Sequence, residues 1–203
     1  MDWTPPGKNC GLCGARTCEV FMEMVAAGER SLADCPFSEA GSCISVHDAV
    51  YTGRDILGNA YDFVIDPLPG EPTVRKIVLP FRPDLVERRG IAEGEIVVGR
   101  PMGAGCPVQH VIRVIEADPI TGVITGHVVG PAFSRDREYH DVRAYHMLGF
   151  EGLATHISSP PVFGKRQRFL PGFCMMALAH TGLVNMIVER SEGVHVRVED
   201  VII

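Results

Sequence analysis

The sequence predicts an α+β protein: a small helical module followed by a mostly antiparallel β domain with one or two helices. Three observations lead to it. The first forty residues crowd cysteines and glycines around one helical pattern and carry little strand signal. Past residue 70, β-branched runs alternate with turn material. Between the two, the run PLPGEP breaks the chain. The expected organisation is residues 1–40 as a cysteine module, 41–70 as a linker with a candidate helix, and 71–203 as the β domain.

Each element has its own signal. From Thr17, the run CEVFMEMVAAG sets Val20, Phe21, Met24 and Val25 on one helical face, and Gly28 is a natural stop. In the linker, HDAVYTGRDILGNAYDFVI admits a helix. VRKIVLP, EIVVG, VQHVIRVIEA and GVITGHVVG read as strands, with DPITG joining two of them as a hairpin. REYHDVRAYHMLG admits a further helix, although His140 and His146 would then stand out of face. LVNMIVER and VHVRVEDVII flank Ser191, Glu192 and Gly193, and should close the chain as a hairpin.

Composition bounds the function. A chain of 203 residues can hold one core plus an appended module. With 46% hydrophobic and 22% charged residues it should fold as a globule. A net charge of −6 argues against nucleic acid as a partner. No apolar run approaches the roughly 20 residues of a membrane span, and the start MDWTPPGKNC lacks the plan of a signal peptide. The expectation is a cytoplasmic protein with no membrane insertion. Seven cysteines then point to metal or redox chemistry before structural disulfides.

Four of those cysteines form a pattern. In Cys10-Gly-Leu-Cys13-Gly-Ala-Arg-Thr-Cys18 the thiols are spaced by two and four residues, and Cys35 returns sixteen residues later, followed by Pro36. A [4Fe–4S] cubane needs four converging thiolates, and this arrangement supplies three from one loop and the fourth from a returning chain. Gly11 and Gly14 each follow a ligand, where the loop can wrap closely and backbone N–H groups can point at sulfur. Zinc is the alternative, since four cysteines also make a closed structural site. Zinc ligands usually come as two separated pairs, so the spacing favours the cubane; unligated or disulfide-bonded cysteines are a third reading.

CGLCGARTCEVF, with the helix after it and then Cys35-Pro36, resembles the four-cysteine iron–sulfur domain of the corrinoid iron–sulfur protein large subunit and of Rnf-type electron-transport subunits. The resemblance covers about residues 5–40. It implies that Cys10, Cys13, Cys18 and Cys35 bind a [4Fe–4S] cluster that passes single electrons at low potential. No cobamide signature is present, so cobalamin chemistry does not transfer. The remainder of the chain resembles no family we can name.

Outside the module, the candidates compete with plainer readings. Cys106 lies in the glycine-rich loop GRPMGAGCP, with His110 four residues on, and a tight turn with a half-buried thiol is the plainer reading. Cys174 and His180 lie on the apolar segment FLPGFCMMALAHTGLV, where packing is the plainer reading. A second metal site would require Cys106, His110, Cys174 and His180 to converge. Cys43 has no evident role. The basic run Gly164–Arg168 and Arg135, Arg137 and Arg143 read as solvated. His140, His146 and His156 fit no HExxH motif, and no nucleophile elbow is present.

The expected function is therefore an iron–sulfur electron-transfer or accessory subunit of an anaerobic-type oxidoreductase system, working with a redox partner protein or larger complex. Glu19, Glu23, Asp2 and Asp34 would add negative charge near the cluster, opposed by Lys8, Arg16 and Arg30. The first alternative is a redox enzyme whose β domain binds a substrate or second metal cofactor. The second is a structural metal module without redox function.

Overall fold

A computed structural model describes residues 3–7, 9, 11, 13–35, 37–38, 51–102, 106, 108–134, 137–172, 174 and 176–203. Cys10 and Cys43 lie outside the described residues, as do Asp2, Lys8, Pro36 and Arg135.

The structure corrects the α+β expectation. The protein is mostly β, with one nine-stranded sheet and, among the described residues, only two α-helices, α1 (Cys18–Ala26) and α2 (Asp84–Arg89). It is not a helical module joined to a β domain, because among the described residues of the cysteine segment only the nine of α1 are α-helical, with a single 3-10 turn at Leu32–Asp34. The candidate linker helix is absent from the described part, where residues 51–62 are loop closed by an Arg54–Ala60 bridge and β1 (Phe63–Asp66) follows. The candidate helix around His140 and His146 is instead the sixteen-residue strand β6 (His140–Thr155).

The remaining strands are β2 (Arg75–Pro80), β3 (Ile96–Pro101), β4 (His110–Ala117), β5 (Ile124–Val129), β7 (Arg166–Pro171), β8 (His180–Arg190) and β9 (Gly193–Ile202). The strands run in the order β1-β7-β8-β9-β6-β2-β5-β4-β3, with further pairings β1–β6 and β6–β3. Those two extra pairings close the sheet twice. One circuit is β6-β9-β8-β7-β1 and the other is β6-β2-β5-β4-β3, and β6 belongs to both. Closure removes the unpaired edges that an open sheet exposes. The hairpins β4–β5 and β8–β9 form across Asp118–Val123 and Ser191–Glu192. The β1–β7 and β3–β6 pairings are parallel, and every other pairing of the sheet is antiparallel.

Each circuit has its own core. Phe63, Ile65, Phe150, Phe169, Val184 and Val196 fill the first, and Val78, Val97, Ile112, Ile124, Val142 and Tyr145 fill the second. A third cluster, Ile96, Val98, Val111, Val129 and Phe133, lies on the other face of β3 and β4. Phe133 comes from the short 3-10 turn Pro131–Ser134 after β5. This turn receives the N-terminal segment: a Cβ placed on Gly11 would sit 3.0 Å from Phe133 Cβ and 3.1 Å from its backbone nitrogen.

Candidate metal centre and a buried lysine cluster

The cysteine loop is built by short-range rules. Thr17 caps α1, its hydroxyl accepting the Val20 N–H at 3.1 Å, and the Asn9 side-chain oxygen accepts the Cys18 N–H at 2.7 Å. Cys18 is thus held at the first turn of the helix. The helix stops at Gly28 (φ 75°), where Gly28 donates to the Val25 carbonyl and Glu29 to the Met24 carbonyl, a Schellman closure. The chain then turns through a capping box at Ser31 and Asp34 and delivers Cys35, which is buried. Phe21 and Ala15 are buried with it, and Cys13 packs against them. Burial pushes the Cys35 thiol up; a Phe37 backbone hydrogen bond opposes this, and Cys13 and Cys18 add to it as neighbouring negative charges. Gly11 (φ 72°) and Gly14 (φ 84°) both adopt the left-handed conformation that the tight loop requires.

A second group of side chains meets where the two circuits share β6. Lys76, on β2, is buried, and its Nζ lies 3.1 Å from His110 Nδ1 on β4. The Tyr145 hydroxyl, on β6, is 2.6 Å from the same nitrogen. The other ring nitrogen, Nε2, faces Cys106 Sγ at 3.9 Å. On the opposite side Lys76 Nζ lies 5.4 Å from the centre of the Phe150 ring, which packs edge-on against His180. His180 Nδ1 is 2.9 Å from the Leu178 carbonyl, which accepts its proton. Gly99 makes room for Tyr145, since a Cβ there would meet the Tyr145 ring at 3.0 Å.

The electrostatics of this cluster follow from burial. Lys76 is pushed down to about 8 by desolvation, against which the charges of Cys106 and Cys174 pull upward. His110 falls to about 3 and His180 to about 4, in each case chiefly by desolvation, with the Lys76 charge adding to it. Burial pushes the Tyr145 hydroxyl up, so it keeps its proton. Both imidazoles are neutral at pH 7. A charged Lys76 can only donate, so His110 Nδ1 accepts and Nε2 carries the proton toward Cys106.

Comparison with known proteins bears on the N-terminus first. Residues 6–37 match a family model described as "Putative Fe-S cluster". The chain has an iron–sulfur domain at its N-terminus. Across nearly its whole length the chain is also similar to an uncharacterized protein of Methanocaldococcus jannaschii, 29% identical over 97% of this chain and 88% of that protein. No solved structure matches the chain significantly.

The donor set of the matched segment fits an iron–sulfur group: it is thiol only, it lies beside glycines that leave room, and one face is covered by Phe21 and Ala15. Among the described residues no three His, Cys, Asp or Glu side chains are gathered tightly enough to share one ion. For the second candidate site this matters. Lys76 bonds His110, and Cys106, Cys174 and His180 all lie within its electrostatic reach, so an ammonium stands where a second metal cation would have to sit. Sequence reasoning missed Lys76 and Tyr145. The available signal was Lys76 itself, a charged residue directly before the apolar run IVLP of the same strand.

Proposed function

We propose that this iron–sulfur protein holds a [4Fe–4S] cluster on Cys10, Cys13, Cys18 and Cys35 and passes single electrons to a partner protein or cofactor. The observation that carries the reading is the matched segment 6–37, in which Cys35 feels the charges of Cys13 and Cys18 across a glycine-lined loop. Zinc sites usually take their ligands as two separated pairs, whereas three thiols on one loop and a fourth on a returning chain suit a cubane. The bound cluster supplies a one-electron couple. The chain excludes water on one side with Ala15, Phe21 and the buried Cys35, and Arg30 lies over the loop, 3.1 Å from a Cβ built on Gly14. Gly11 rests on Phe133, which packs with Val98 and Val111 on the other face of β3 and β4, so the loop is docked on the sheet.

Anaerobic purification with iron and acid-labile sulfide analysis, followed by EPR of the reduced protein, tests this. About four irons and four sulfides per chain with a cubane signal are expected. Zinc alone, or iron that does not undergo reversible reduction, would overturn it. The buried cluster around Lys76 favours a second reading, in which the protein is itself a redox enzyme and the cluster feeds a site in the sheet.

A further inference from the structure

The structure places one thiol of the buried cluster at a surface groove. A groove of about 760 Å³ is lined by Cys106 together with Ile77, Met102, Met147, Leu148 and Arg197. Cys106 is half-buried, with its sulfur turned to His110 Nε2 at 3.9 Å, and behind His110 stand Tyr145 and Lys76. A nucleophile reachable from a groove, a base within reach of it and a third group fixing that base is the general arrangement of an activated nucleophile.

The geometry points to Cys106 as the nucleophile of a thiol–disulfide exchange site, with His110 relaying the thiol proton to Lys76 and Tyr145 holding the imidazole in place. The inference stands apart from the electron-transfer reading, since none of these residues belongs to the cysteine loop. The relay balances. From the state in which Lys76 is the neutral amine and His110 carries its proton on Nδ1, Cys106 S–H gives its proton to Nε2 while Nδ1 passes its own to the amine, leaving a thiolate, a neutral imidazole and an ammonium. The imidazole is neutral before and after, as its burial demands. The ammonium gains a negative partner in place of bulk water, and the charges of Lys76 and Cys106 favour each other across His110.

In the exchange step the Cys106 sulfur forms a bond to one sulfur of the substrate disulfide. The original S–S bond breaks, and the second sulfur leaves as a thiolate that takes back the proton held on Lys76. No external oxidant or reductant is consumed. The charge stays on sulfur throughout, which the apolar walls of Ile77, Met102, Met147 and Leu148 tolerate without oxyanion donors. Arg197 in the same groove is paired with Glu199 at 3.1 Å, and Asp200 lines it as well, so the substrate class is a small organic disulfide with an apolar body.

The test uses the anaerobically purified full chain and 2,2′-dithiodipyridine, following thione release and assigning the labelled cysteine by peptide mass mapping. Cys106 should react first, at least tenfold faster than Cys174. Lys76→Met should slow Cys106 at least tenfold at pH 7 and move its rate curve to higher pH, a change that loss of packing alone would not produce. His110→Gln, whose amide can stand in for Nε2, should keep more of the rate than His110→Ala. Iron content should be the same in every variant, which separates this result from the fate of the cluster. If Cys106 reacts no faster than Cys174, or at the same rate in Lys76→Met, the relay is overturned. If His110→Ala does not fold, the apolar isostere Lys76→Met decides the question.

Discussion

Gly11 carries two constraints at once. Its φ of 72° lies in the left-handed region, and its missing Cβ is the space into which Phe133 fits, 3.0 Å away. An alanine there pays roughly 1–2 kcal/mol for conformation alone and pushes the cysteine loop off the sheet as well. Gly11→Ala should therefore lose iron to a chelator several-fold faster than the wild type. Adding Phe133→Ala should not rescue retention, because alanine keeps the Cβ and the backbone nitrogen that a side chain at Gly11 would meet. Equal iron retention in wild type and Gly11→Ala would mean that docking on the sheet does not support the metal centre.

The buried histidines set an acid limit at the same scale. Unfolded, each imidazole takes a proton near 6.5; folded, His110 stays neutral to about 3 and His180 to about 4. As pH falls through about 6.5 the unfolded chain binds more protons than the folded one, and stability is lost in that direction. Between pH 6.5 and 4.5 each histidine accounts for about 2–3 kcal/mol. Urea titrations at pH 7 and 4.5, read by the far-UV signal of the sheet, should show that loss, and His180→Gln should make it smaller. An unchanged slope in His180→Gln would show that His180 is not the group responsible.

At the scale of elements, α1 and β6 show what the sequence discloses and what it hides. A nine-residue helix is too short to hold by itself, so its ends matter, and both were legible as a run starting from Thr17 and a stop at Gly28. Thr17→Ala should cost about 1 kcal/mol, and Gly28→Ala a similar amount from its φ of 75°. Hydrogen exchange should quicken across residues 17–29 in both variants and leave the amides of β8 and β9 unchanged. Faster exchange throughout the sheet would show instead that helix and sheet unfold together. The helical reading of β6 failed for a definite reason. Its pairing slips a residue against β3 after Asp141 and against β2 near Leu148, and Arg143 takes a φ of 64° at the first slip. These bulges break the period-two alternation, so that Val142, Tyr145 and Gly149 are buried at spacings of three and four, which is a helix's spacing. VRKIVLP was readable from its β-branched run between turn residues, and the closing hairpin from its turn at Ser191–Gly193. The Cys106–His110 pair was visible as a spacing, but the arrival of Lys76 and Tyr145 beside it depends on sheet register, which a single sequence does not display.

The whole molecule is two closed circuits joined along one strand, and Lys76 sits at the joint. It meets His110, which bonds Tyr145, in one circuit and faces the Phe150 ring of the other. Nothing in the packing requires a charge at this point, since the cores on either side are apolar. The fall of its ionisation from 10.5 to about 8 measures the penalty of keeping the ammonium there, about 3 kcal/mol. Below pH 8 both folded and unfolded chains carry the charge, and the penalty is present in full. Between pH 8 and 10.5 the folded lysine sheds its proton first and stability rises. Lys76→Met removes the charge and keeps the volume, while His110 retains its bond to Tyr145. The variant should be more stable than the wild type by about 1–3 kcal/mol at pH 7 in urea unfolding, and the gain should shrink toward pH 10. A less stable Lys76→Met would mean that an anion within the fold, with Cys106 the nearest candidate, already compensates the ammonium. A more stable one would identify Lys76 as a residue whose presence weakens the joint between the circuits, which is the pattern of a group retained for chemistry.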